Sequence, residues 1–266
     1  SCLVGSEMCI RDRTGTITAT VSEGDMATLA GITETTNALS IAVTDATVSA
    51  TALTALDAKT TGLVNVAATS TLTGTLAEVT ATLGATTTIS GVGAMLVSVT
   101  GSITVAEANA LDALTTSAIT ATITETDLDT LVTLGTGNAW VTTVDKQTAD
   151  NPATVGDETV TTINAANLAT LDGLTSQPVT VTAPAITGTL AQLTTSIAAN
   201  TAGTVTGLET KAITVSDASI TQAEAQTAQA WSTGVLTATV ATDDVLTVDT
   251  PGAAVVTSIA AIDTLA

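Results

Sequence analysis

The 266-residue chain carries 25 acidic and 5 basic side chains, a formal charge of −20 and a pI near 4.1, and it lacks His, Phe and Tyr entirely. So few cations cannot release counterions from nucleic acid or settle on anionic lipid, so both partners are excluded, and with no His there is no ready general acid–base. Only 11% of residues are charged while 45% are apolar in a regular pattern, which is inconsistent with disorder.

The first stretch, "SCLVGSEMCIRDR", holds both cysteines, Cys2 and Cys9, and two of the five basic residues, Arg11 and Arg13. Neither residue type recurs after position 13, so residues 1–13 are expected to be a non-native leader, disordered or loosely attached. Two cysteines without His do not make a zinc site.

From residue 14 one phrase recurs with altered letters: "ALDAKTTGLVNVAA" at 55–68, "ALDALTTSAITATI" at 110–123 and "TLDGLTSQPVTVTA" at 170–183. Each copy reads as a short helix, a Thr/Ser/Gly/Asn turn, then a strand alternating in β-branched residues. In chain order the helices are centred near Leu29, Leu56, Val79, Leu111, Leu131, Leu171, Leu193 and Ala228, with a ninth near Ile259. Four of them open with a capping box, in which a Thr and the Glu or Gln three residues on satisfy each other's orphan amides. These are Thr75–Glu78, Thr104–Glu107, Thr189–Gln192 and Thr221–Glu224. The longer copies insert an additional strand.

A helix of about ten residues is marginal in water, and a lone strand has no partner. Stacking equivalent strands in parallel answers both problems, with right-handed crossovers. The fold expected is therefore α/β: residues 14–266 as a single right-handed repeat solenoid of about nine strand–helix coils with a parallel sheet. At ~4.8 Å between paired strands it would be on the order of 40 Å long. The competing fold is an all-β solenoid whose helices are only turns. The small apolar residues imply a narrow interior. "DKQTADNPATVGDET", Asp145–Thr159, reads as an excursion loop.

Chemistry is sparse, and no enzyme is expected. Without His, catalysis would have to rest on paired carboxylates, and two Trp and three Lys beyond the leader cannot line a glycan groove. The densest acidic groups are Glu125, Asp127 and Asp129 in "TETDLDT" and Asp243, Asp244 and Asp249 in "TDDVLTVD". Calcium takes six to eight oxygens, so these six residues are the candidate calcium ligands, although no calcium-repeat motif accompanies them. No cofactor is required. Asp57, Asp112 and Asp172 repeat after the helix Leu and are expected to face water. Trp140 and Trp231 are expected to plug the core or the coil ends.

Threonine at alternate positions in "TGTITAT" at 14–20, "TLTGT" at 71–75, "TITET" at 122–126 and "TAT" at 237–239 would stack into a hydroxyl grid. The spacing resembles that of β-solenoid ice-binding proteins, although uneven repeat lengths oppose a flat register.

The phrases "ITVAEANALDALTTS" at 103–117, "TINAANLATLDGLTS" at 162–176 and "VSDASITQAEAQTAQAWSTG" at 215–234 resemble repeats of very large secreted or cell-surface proteins of marine bacteria, adhesin-like and surface-layer-like. Residues 1–13 resemble a translated sequencing adaptor. The resemblance implies an extracellular stalk or coat segment whose partners are neighbouring domains of the same protein or other surface molecules. A binding module for calcium, glycan or ice is the alternative.

Overall fold

The computed structural model describes residues 15–66, 70–147 and 162–241. Within these the chain is α/β, with parallel strand pairing throughout the registered ladders and eight α-helices. It divides into two compact units. One is formed by the described residues up to Gly101 with Ala110–Thr120, the other by Ser102–Asn109 with the described residues from Ala121 onward.

Along the first unit run β1 (Thr18–Thr20), α1 (Met26–Leu29), β2 (Ala38–Val43), β3 (Thr47–Ser49), α2 (Ala50–Asp57), β4 (Val64–Val66), β5 (Thr71–Gly74), α3 (Leu76–Leu83), β6 (Ile89–Ser90) and β7 (Leu96–Ile103). Strands β1, β2, β4 and β6 form one sheet, in which Ile41, Val64 and Ile89 stand in line. Strands β3, β5 and β7 form a second ladder that aligns Val48, Leu72 and Val97. All six residues are at most 1% exposed, and the inner helix residues Leu53, Leu56, Val79 and Leu83 pack to within 2%. The alternation read in the sequence is therefore the alternation of core and surface along these strands, except β1, which is exposed throughout.

The division between units falls inside β7, α4 (Val105–Asp112) and β8 (Ile119–Ile123). The second unit continues with α5 (Leu128–Leu131), β9 (Ala139–Val144), β10 (Thr162–Asn164), α6 (Ala165–Leu174), β11 (Val179–Val181), β12 (Ala185–Gly188), α7 (Leu190–Ala202), β13 (Val205–Thr206), β14 (Ala212–Val215), α8 (Gln222–Gln229) and β15 (Leu236–Thr237). Strands β10, β12, β14 and β15 align Ile163, Ile186, Ile213 and Leu236 as one buried row. Strands β9, β11 and β13 form the other ladder.

The two units follow one plan. Ala50, Leu53, Leu56, Asp57 and Thr60 correspond to Ala165, Leu168, Leu171, Asp172 and Thr175. Gly74, Thr75 and Glu78 correspond to Gly188, Thr189 and Gln192, each opening a helix with a formed capping box. Even a buried detail repeats: Thr82 Oγ1 donates to the Ala50 carbonyl and Ser196 Oγ to the Ala165 carbonyl, both at 3.3 Å. Gly91 and Gly207 match as well, at φ +87° and +95°, and a Cβ on either would lie 2.5 Å from the carbonyl oxygen of Val66 or Val181. Only glycine fits there.

All eight expected helices within the described residues form, and so do all four capping boxes. The expected helix near Ile259 lies outside the described residues, as do residues 1–13. Of the expected excursion loop, residues 148–159 lie outside them too. Lys146 bridges to Asp127 in parallel, the Asp145 N–H donates to the Thr126 carbonyl, and the Leu128 N–H donates to that of Lys146.

Candidate functional site

The regularly spaced polar side chains are bonded to neighbouring segments. In the turn after the helix, the hydroxyls of Thr60, Thr115, Thr175 and Ser232 each accept from the N–H two residues on, at 2.9–3.1 Å. The same hydroxyls donate to carbonyls one segment earlier: Leu39 at 2.8 Å, Gly93 at 3.0 Å, Trp140 at 2.7 Å and Ser232's partner Lys211 at 2.6 Å. A side chain that closes its own turn leaves the hydroxyl hydrogen pointing at the adjacent backbone. This is what the recurring phrase encodes.

A second device uses carboxylates. The first helical residue of α1, Met26, donates its N–H to Asp45 at 2.9 Å. Val105 donates to both oxygens of Glu125 at 3.1 and 3.0 Å, and Leu190 donates to Asp217 at 2.6 Å. In each case the acid follows the next segment's strand in the words "VTD", "ITE" and "VSD", at 43–45, 123–125 and 215–217. The N-cap satisfies one or two orphan amides, and the neighbouring carboxylate satisfies another while meeting the positive end of the helix. A strand-final hydrophobe, a hydroxyl residue and an acid in succession was the signal available in the sequence.

The capping glutamates add cross-links of their own. Glu78 accepts from the Thr75 N–H and from the Thr51 hydroxyl on α2, both at 2.8 Å. The Thr75 N–H, the Thr51 hydroxyl and the Thr75 hydroxyl, in that order, hold its carboxyl below the ordinary glutamate value. Glu107 is lowered by the Thr104 N–H and then its hydroxyl, and Glu209 by its own N–H and then the Asn200 amide.

The repeated helix aspartates do not simply face water. Asp57 and Asp172 are half-buried and accept from Thr88 at 2.8 Å and Thr204 at 3.1 Å, while Asp112 is half-buried and engaged. The corresponding threonines lie one segment later, so the aspartate row binds segments together as the turn hydroxyls do.

Of the six candidate calcium ligands, the three that are described, Glu125, Asp127 and Asp129, are not gathered. Glu125 is taken up by Val105 and the Thr124 hydroxyl. Asp127 stands at the N-cap position of α5, makes no side-chain bond to a helix amide there, and accepts from the Thr130 hydroxyl at 3.4 Å. Asp129 accepts from Gln147 at 2.8 Å and Asn167 at 3.3 Å. Asp243, Asp244 and Asp249 lie outside the described residues. Among the described residues no three His, Cys, Asp or Glu side chains are placed to share an ion, and no helix is long and apolar enough to cross a membrane.

The threonine stretches stack only in part. Thr47 pairs with Thr71, and Ser49 lines up with Thr73 and Ser98. Further polar rows are Thr143–Thr180–Thr206 and Asn164–Thr187–Thr214–Thr237. Trp140 is a core plug, 0% exposed, with its indole N–H on the Gly135 carbonyl at 2.8 Å. Trp231 is only half-buried.

Two grooves open between consecutive helices. One, of about 410 Å³, lies between α2 and α3 and is lined by Ala50, Thr51, Thr54, Ala55, Ala81 and Glu78 among others. The other, of about 210 Å³, lies between α7 and α8, with Leu190, Thr194, Ala223, Glu224, Thr227 and Trp231 on its walls.

No known protein family, curated protein or solved structure matches the chain.

Proposed function

We propose that the chain is a structural and adhesive segment of a large extracellular bacterial surface protein, serving as stalk or coat. Its strand–helix segments stack as a right-handed α/β solenoid, and its partners are the neighbouring domains of that protein or other surface molecules. One observation carries this reading. The turn hydroxyls, the strand-final acids and the helix aspartates are bonded to adjacent segments, which suits an element that transmits load. Acidic residues outnumber basic ones fivefold, which keeps such an element soluble and apart from its copies. Force along the stack falls on strand-to-strand hydrogen bonds and on these side-chain clasps.

Pulling the full chain end to end by single-molecule force spectroscopy tests the reading. A stalk lengthens segment by segment, at forces well above those that straighten an unfolded chain. Extension at the unfolded-chain force overturns it.

A second reading, a binding module, is favoured by the two in-register polar rows, which offer a periodic array of hydroxyls and methyls. Inhibition of ice recrystallisation by the purified chain tests it for ice, and crystals that coarsen at the buffer rate remove that ligand.

A further inference from the structure

The groove between α7 and α8 carries a group that the fold does not need. Trp231 occupies the position that Leu114 holds in the earlier copy of the same segment, where Thr104, Glu107 and Thr115 stand in place of Thr221, Glu224 and Ser232. Leu114 is 44% exposed, so this position does not call for an aromatic ring to fill a core. Trp140, by contrast, is fully buried with its N–H bonded. Among the described residues the Trp231 indole has no hydrogen-bond partner.

On the same side of the groove as the ring, seven residues before it, is Glu224. Its Oε2 accepts from the Thr221 N–H at 2.7 Å and hydroxyl at 2.9 Å, which fixes the carboxylate in place. Its Oε1 takes no hydrogen bond among the described residues. The hydroxyls of Thr194 and Thr227, also on the wall, donate to the carbonyls of Leu190 and Ala223 and so present only lone pairs outward. The groove thus offers an aromatic ring, a half-used carboxylate and acceptor oxygens, and among the described residues no cationic side chain lines it. An anion finds nothing there, whereas a cation finds a π-face and a negative charge together. At about 210 Å³ the space is below the range of drug-sized pockets and admits one small head group, not a peptide or a sugar chain.

We propose that this groove binds a small alkylammonium group of the choline type, with its methyls against Trp231 and its charge balanced by Glu224. The site adds a ligand to the protein and does not depend on the stalk reading.

Tryptophan fluorescence of the full chain tests it directly, because Trp140 is sealed in the core and provides a constant background. Choline chloride, titrated against sodium chloride at equal ionic strength, is expected to change the emission saturably in the millimolar range. The neutral isostere 3,3-dimethylbutan-1-ol is expected to bind about fivefold more weakly or worse. Trp231→Leu restores the residue of the earlier copy, so its fold is maintained and its response is expected to vanish. Glu224→Gln keeps the capping box, as Gln192 shows, and is expected to weaken binding several-fold. An absent or unsaturable response, equal binding of the neutral isostere, or a response that survives in Trp231→Leu each overturns the proposal.

Discussion

Thr142 is 1% exposed, and its hydroxyl has no hydrogen-bond partner. It lies on the core side of β9, opposite Val179, where the corresponding residue of β2 is Ile41, opposite Val64 and 0% exposed. An unsatisfied buried hydroxyl costs about 1–3 kcal/mol, and valine has nearly the same shape without that polar atom. Replacing Thr142→Val is therefore expected to stabilise the protein by about 1 kcal/mol, the lower end of that range. For a chain of this size that corresponds to a rise in Tm of about 2–4 °C. Urea denaturation followed by circular dichroism should show a higher midpoint with the slope unchanged. The reciprocal change Ile41→Thr should lower it. A Thr142→Val variant that is less stable than the parent refutes the reasoning, because the hydroxyl would then have a favourable partner.

Asp217→Ala leaves the Leu190 N–H without its acceptor and is expected to cost about 1 kcal/mol, while Asp217→Asn keeps an acceptor oxygen and recovers most of it; chemical denaturation of the pair distinguishes them. Gly207→Ala combines a positive φ with a Cβ 2.5 Å from the Val181 oxygen, and a loss of about 2–4 kcal/mol is expected in the same assay. Acid should weaken the fold through three carboxylates. Glu78, Glu107 and Glu209 hold fewer protons folded than unfolded at low pH, so their contribution is complete above the ordinary glutamate value and is lost as pH falls below it. Melting temperatures should accordingly be level near neutrality and decline below about pH 4.5, and Glu78→Gln should reduce that decline.

The helices and strands were legible because their signals are local. Thr75 and Glu78 lie three residues apart and need only each other, and Val179 and Val181 announce a buried strand face by alternation alone. The clasps were not legible, because each joins residues 19 or more apart whose partner is a main-chain atom. The row Asp57, Asp112 and Asp172 was visible as a period, but its partners Thr88 and Thr204 appear only once the segments are side by side. Glu125, Asp127 and Asp129 read as one cluster along the sequence, yet each is turned towards a different neighbour. The shared plan of the two units was masked by the additional residues between β9 and β10, which shift the spacing between matching positions.

The turn hydroxyls of Thr60, Thr115, Thr175 and Ser232 grip peptide oxygens, atoms that every amino acid supplies. A segment of this kind is therefore indifferent to the identity of what lies beneath it. At these four contacts side chains can drift without any matching substitution across the junction.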